Sequence, residues 1–379
     1  MSDRWKIDEE LLTQTFCRLV SLSDESRRER AAADAVTATL KELGFSVEED
    51  DAGQKIGGDT GNLYAYLPGT MPGKPVLFSA HLDTVKPGKG KRVILHSDGT
   101  ITSAGDTVLG SDDLAAVAAI LEGIRAILKA GIPHRAIEVV FSVAEELYCE
   151  GAKVFDFSRL KAKDAFVLDM SGAPGMAAIK APSIISFEAE IIGKSAHAGS
   201  GAGNGIHAIQ IMSEAIAKLP EGHLDEQSTF NIGSILGGEQ TNIVPERCIC
   251  RGEARSFSHG KAQKIIESVC KVFLDAAKAR GATCHFESKV HIQAYETPQD
   301  SVCVQQFQEA CRNVGLPGKL AQTFGGSDNN VFALHGIAGI VLSGGMHEVH
   351  STKEYTSVRE LAQDAQLVAQ LCTIADRNA

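Results

Sequence analysis

The stretch "FSVAEELY" (141–148) closes an apolar run, Ile137 to Val143, with two adjacent acids, Glu145 and Glu146. Neighbouring residues on a strand point to opposite faces, and like charges side by side repel. Such a pair suits a division of labour, in which one carboxylate binds a cation and the other acts as a base toward water. Four further stretches carry groups of the same chemistry. "FSAHLDTV" places His81 and Asp83 at positions i and i+2 at the end of a strand-like run. There an imidazole can ligate a metal through one nitrogen while a carboxylate holds the other N–H; a surface His near an Asp is the plain alternative. "LGSDDLAAV" sets Asp112 and Asp113 before a long apolar helix, where acids also serve as caps. "VLDMSG" adds Asp169, a residue type that commonly starts turns. "GGMHEVHSTKEY" adds His347 and His350. Their i, i+3 spacing misses the H-E-x-x-H zinc helix, and the preceding Gly–Gly argues for a loop; either one could be a bystander.

The elements that must position these groups alternate. Residues 8–22 and 26–43 have helical periodicity, the second ending at Gly44. "NLYAYLP" and "PVLFSA" have the pattern of strands, "RVILHSDGTITSA" that of a hairpin turning at Asp98–Gly99, and 114–131 that of a strong helix. Strands follow at 136–143 and 164–169. Strand–helix–strand alternation implies an α/β domain whose mostly parallel sheet is covered on both faces. After about residue 178 the order becomes βαββαβ, the split βαβ arrangement of a small α+β, ferredoxin-like unit. The first pattern returns after about 297, with helix 300–314, strand "IAGIVLS" and helix 357–375. The expected organisation is one domain, 1–178 with 297–379, interrupted by an inserted domain, 179–296.

In an open α/β sheet, ligands bind outside the carboxyl ends of the strands. His81, Asp112, Glu146, Asp169 and His350 all fall at such ends or in the loops that follow. Gathering so many acids without counter-charge is costly, and two divalent cations would remove that cost. Mixed nitrogen and oxygen donors suit zinc, cobalt or manganese.

Composition narrows the classes. The 379 residues are 44% hydrophobic, and the formal net charge is −11. An acidic surface without dense basic runs disfavours nucleic acid or anionic lipid as a partner. No run of about 18 apolar residues suggests a membrane span, and the N-terminus has no signal-peptide pattern. Nine cysteines without a C-x-x-C fit reduced thiols in a cytoplasmic protein. No G-x-S-x-G occurs, which disfavours a serine hydrolase.

Taken together, "AHLDTV", "SAGDTVLGSDDLAAV", "AEELYCEGA", "VLDMSG" and "GGMHEVHSTKEY" resemble the co-catalytic di-zinc metallopeptidase family of peptidase T, aminoacylase and glutamate carboxypeptidase. The "LGSDD" and "GGSDN" segments are most similar to the peptidase T branch. The resemblance implies that Asp112 bridges two metals, that His81 and Asp169 complete one site, and that Glu146 and His350 complete the other. It prefers His350 to His347 because Glu354 follows at the family spacing. It further implies Glu145 as general base, Asp83 as the residue orienting His81, and a cis Asp112–Asp113 peptide. From the inserted domain it implies His197 as an oxyanion donor supplied by the partner subunit of a homodimer. Asn242 and Arg255 would contact the substrate carboxylate, and Gly325, Gly326 and Ser327 would line the pocket. One departure stands out: Leu114–Ala115–Ala116 replaces the Lys–Ala–Gly of the peptidase T branch. The expected activity is hydrolysis of an amide in small peptides, by a di- or tripeptide aminopeptidase. An N-acyl amino acid deacylase or dipeptidase is the alternative within the family, and a non-catalytic metal-binding scaffold the alternative outside it.

Overall fold

The computed structural model describes residues 4–376. Its contacts divide the chain into two units, Ala181–Tyr295 and the segments on either side of it. The crossing points thus fall within two residues of those expected from sequence.

The first unit is built on an eight-stranded sheet. Its order is Ser46–Glu49, Leu63–Leu67, Ile137–Ser142, Val76–His81, Asp164–Met170, Ala338–Ser343, Met176–Ala178, Lys319–Ala321. The four middle strands run parallel to one another. Val76–His81 and Ile137–Ser142 are buried along their whole length, as expected for strands covered on both faces. Parallel order does not extend to the margins. Leu63–Leu67 pairs antiparallel with both neighbours, and Met176–Ala178 antiparallel with Ala338–Ser343. Leu63–Leu67 alternates buried and half-buried residues, the mark of an antiparallel strand with one more open face.

Register brings the carboxyl ends of the middle strands level: His81 lies opposite Ser142, and Ser343 opposite Met170. Every loop with candidate chemistry therefore leaves the sheet at the same rim. Helix Ser111–Lys129 is buried nearly all round because helices Glu9–Leu22 and Val358–Thr373 pack against it as well as the sheet. Asp112 and Asp113 are not helical, and the peptide between them is cis. A three-stranded sheet, Val93–Leu95, Thr100–Ser103 and Tyr355–Ser357, turns at Gly99 in a left-handed conformation (φ 86°).

The inserted unit has a five-stranded antiparallel sheet, in the order Gly222–Asp225, Ser228–Gly237, Arg247–Ser256, Ser183–Ile192, Thr283–Ile292. Helices Ala208–Ile216 and His259–Ala279 pack on it. Phe187 stacks between Phe230 and Phe286 at the centre of this core. Cys248 and Cys250 are both buried in the same core, and all nine cysteines are free thiols.

Candidate active site

His81 is the last residue of its strand and is buried. Its Nδ1 lies 2.9 Å from the carbonyl oxygen of Asp83 and 3.4 Å from the Asp83 carboxylate. Both are acceptors, so Nδ1 carries a proton, and Nε2 is the nitrogen that could ligate a cation in exchange for its own proton. That nitrogen faces Asp112 Oδ1 at 3.2 Å and Asp169 Oδ1 at 3.8 Å. On the other side of Asp112, Oδ2 lies 3.2 Å from His350 Nε2, which is 3.0 Å from Glu146 Oε1. Two triads therefore share Asp112, and within each the donor atoms lie within 4.8 Å of one another.

The orientation of His81 falls mainly to the backbone oxygen of Asp83 rather than to its carboxylate. That carboxylate accepts from Ser26 Oγ (2.7 Å) and from the N–H groups of Glu145 (2.9 Å) and Glu146 (3.2 Å). It ties the first triad to the turn that carries the two glutamates. Glu145 belongs to neither triad. Its Oε1 accepts the Cys149 thiol proton at 3.2 Å, with Asp328 close by. His347 is a bystander to the triads: it bonds Glu360 at 2.8 Å and stacks on Tyr355.

Glu354 plays a part that its spacing did not reveal. Buried at 2% exposure, it accepts from Gly110 N (2.8 Å), Ser111 Oγ (2.6 Å) and Asp112 N (2.9 Å). One side chain thereby fixes the backbone that aims the shared aspartate. Asp113, the second acid of the pair, accepts from His81 N at 3.1 Å. Strand Tyr355–Ser357 holds Glu354 there by pairing with Thr100–Ser103.

All six described non-glycine residues with positive φ belong to or touch these loops: Arg27, Ala144, Tyr148, Cys149, Glu348 and His350. Arg27 does so through its 2.6 Å ion pair with Glu150. Each costs on the order of 1–3 kcal/mol, and such strain collects where function dictates side-chain direction.

The charges are strongly coupled. Burial alone would lower His81, but hydrogen bonds to Asp112 and Asp83 outweigh it and hold the imidazole well above its usual range. His350 is pushed up to about 10 by Asp112 and Glu146. Burial raises Glu145 well above the carboxylate range, reinforced by Asp328, Glu146 and Asp83. Asp169 is raised in the same way, by burial and then by Glu145.

The donor set fits two divalent cations. A tetrahedral zinc with bonds of about 2.0 Å to nitrogen and oxygen separates its donors by about 3.3 Å. The His81–Asp112, His350–Asp112 and His350–Glu146 separations of 3.0–3.2 Å lie just below that value, and His81–Asp169 at 3.8 Å lies above it. Histidine with carboxylate is the mixed donor set of zinc, cobalt or manganese. Two positive ions would also relieve the mutual repulsion of the acids.

Around the triads lies a small pocket whose lining includes Met170, Thr323, Gly325, Gly326, Ser327 and Met346. Ser327 uses its hydroxyl to cap the short helix Asp328–Leu334, accepting from Asn329 N. The remaining expected site residues lie in the inserted unit. His197 is exposed, and its Nδ1 accepts from Gly199 N and Ser200 N. Asn242 accepts from Ala198 N through its backbone oxygen. Arg255 Nε bonds Glu253 at 2.7 Å.

Comparison with known proteins agrees with this geometry. The family model for peptidase family M20/M25/M40 matches residues 77–373. The chain belongs to that family. Among M20 relatives, YqjE of Bacillus subtilis, described as an uncharacterized protein, is 34% identical, over 96% of this chain and 98% of its own. The structure of aminopeptidase PepT from Bacillus cereus is 37% identical with a TM-score of 0.90, covering 97% of this chain and 98% of that one. A tripeptidase structure from Staphylococcus aureus is 31% identical with a TM-score of 0.94, at the same coverage. This M20 peptidase thus has its fold and its paired donor triads in one chain, and no described helix is long and apolar enough to cross a membrane.

Proposed function

We propose that the chain is a peptidase T-like aminopeptidase that hydrolyses the amide bond of di- and tripeptides with Glu145 as general base. The observation that carries this reading is the contrast between adjacent glutamates. Glu146 contributes to a triad built on Asp112, whereas Glu145 lies beside it outside both of those triads, grouped instead with Cys149 and Asp328. A site built only to hold cations has no use for the second acid.

Asp112, His81 and Asp169 would hold one divalent cation, and Asp112, Glu146 and His350 a second, with zinc as the first choice and cobalt or manganese able to fit. Bound there, the pair would supply the positive charge that acidifies water and polarises the scissile carbonyl. Glu145 takes a proton from the attacking water and afterwards gives it to the leaving amine nitrogen.

In the inserted unit, His197 has Nδ1 occupied as an acceptor, so Nε2 carries the proton. The reading assigns that N–H to the developing oxyanion, delivered from the partner subunit of a homodimer. Asn242 and Arg255 are assigned to the substrate carboxylate, for which a guanidinium is well shaped, and Gly325, Gly326 and Ser327 to the pocket wall. Nine free thiols favour a reducing, cytoplasmic setting.

A panel of tripeptides, dipeptides and N-acyl amino acids, assayed with zinc, cobalt and manganese, tests the reading. Tripeptides with a free amino terminus are expected to turn over fastest. Preference for N-acyl amino acids would replace the aminopeptidase by a deacylase. Glu145→Gln should keep its cations and lose at least about 100-fold in kcat; full activity in that variant would remove the base assignment.

A further inference from the structure

Four consecutive backbone N–H groups lead into the turn that carries Glu145 and Glu146, and each meets a side-chain acceptor. Val143 N donates to Asn62 Oδ1 (3.1 Å) and Ala144 N to Glu29 Oε1 (3.0 Å). Glu145 N and Glu146 N donate to the two oxygens of Asp83. Asn62, Glu29 and Asp83 come from three separate segments, and each has 0% exposure. A turn that leaves the strand through a left-handed Ala144 (φ 51°) cannot give these amides to a sheet ladder. Buried amides must nonetheless be paired, so side chains take over.

Glu29 is the acid of this set with no other assignment. It is not in a donor triad and does not line the pocket. Its Oε1 also accepts Arg27 N at 2.7 Å, where the backbone is again left-handed (φ 71°). Its Oε2 is buried without a partner, an arrangement that costs about 1–3 kcal/mol or more. Burial, then the nearby Asp83 charge, push its carboxyl up to about 7, so a full negative charge is not its main contribution. What it supplies is an acceptor atom at a fixed reach.

We propose that Glu29 is a positioning residue for the base. By holding the amide of left-handed Ala144, it sets the direction in which the next residue, Glu145, leaves the turn. This rests on the reading of Glu145 as base. Without the acceptor, Ala144 can relax toward ordinary φ and the Glu145 carboxylate shifts; a displacement of about 1 Å costs on the order of 100-fold in rate.

Three variants separate reach from charge and from packing. Glu29→Gln keeps an acceptor at the same reach, Glu29→Asp keeps the charge but is one methylene short, and Glu29→Met fills the buried site without an acceptor. Each is assayed for kcat, KM, bound cation per chain and thermal melting, with kcat taken per folded, metal-loaded chain. Glu29→Asp and Glu29→Met should lose about 10- to 100-fold in kcat with KM and cation content unchanged, while Glu29→Gln stays close to the wild type. Should Glu29→Asp fail to fold, Glu29→Met carries the same expectation. Wild-type kcat in Glu29→Met, a loss in Glu29→Gln as deep as in Glu29→Asp, or a loss that follows cation content would overturn the proposal. Glu145→Gln run alongside distinguishes the two failures. Full turnover there removes the base itself, whereas an inactive Glu145→Gln beside a fully active Glu29→Met removes only the positioning role.

Discussion

At the scale of the residue, the site is a set of strong donors aimed by weaker, less conspicuous groups. That the five residues of the two triads meet was legible because each lies in a short motif at a strand end or in the loop that follows. Glu145 and Glu146 were legible as a pair, and the family resemblance assigned the base to Glu145. Glu29, Asn62, Asp328 and Cys149 were not legible. Nothing local marks Glu29 in "SDESRRER" as different from its charged neighbours, because its partner Ala144 is 115 residues away. Glu354 was visible only as a spacing, and its three hydrogen bonds to Gly110, Ser111 and Asp112 give that spacing a physical cause. Groups of this kind orient ligands, and their loss typically weakens metal binding by about 10–100-fold. Glu354→Ala should therefore lower the chelator concentration needed to strip half of the bound cation by about that factor. An unchanged stripping curve would show that the backbone around Asp112 holds its place unaided.

At the scale of the element, periodicity identified the long helices and buried strands and failed on the short pieces. Ser46–Glu49, Met176–Ala178 and Lys319–Ala321 have three or four residues each, too few for an alternation to register. Helix Asp328–Leu334 was hidden in a stretch that has the look of a loop, and only the Ser327–Asn330 capping box marks its start. The joint between helix Arg30–Glu42 and strand Ser46–Glu49 shows how such pieces are held. Arg30 grips Glu49 with two hydrogen bonds, at 2.8 and 2.6 Å. The guanidinium, with help from Gly61 N and Thr60, holds the Glu49 carboxyl down from its ordinary 4.5 to about 2. A depressed carboxylate stabilises the fold above its ordinary pKa, and that contribution disappears as pH falls through the native value. The pair is about one-third exposed, so its worth is screened to about 1 kcal/mol. Glu49→Gln should cost about that much in urea unfolding at neutral pH. The gap to the wild type should close as pH falls from about 4.5 toward 2; a gap that stays constant would mean the loss is not ionic.

At the scale of the whole molecule, interruption of one unit by another was legible as a change of rhythm from βα alternation to βαββαβ. The inserted unit's strand order, with Ser183–Ile192 between Arg247–Ser256 and Thr283–Ile292, is the one that rhythm implies. The sheet of the first unit was only partly legible. Its parallel middle follows from buried apolar strands, while its antiparallel margins depend on pairings between distant segments that no local pattern encodes. Level strand ends place both triads at one rim, and everything claimed for catalysis depends on two cations held there. The most direct test is to strip the protein with a chelator, restore zinc in measured steps, and record bound metal and tripeptide turnover together. Two equivalents per chain, with turnover absent from the stripped protein and restored as they bind, is the expected result. Turnover that survives complete stripping, or a chain that saturates without holding a pair, would contradict it.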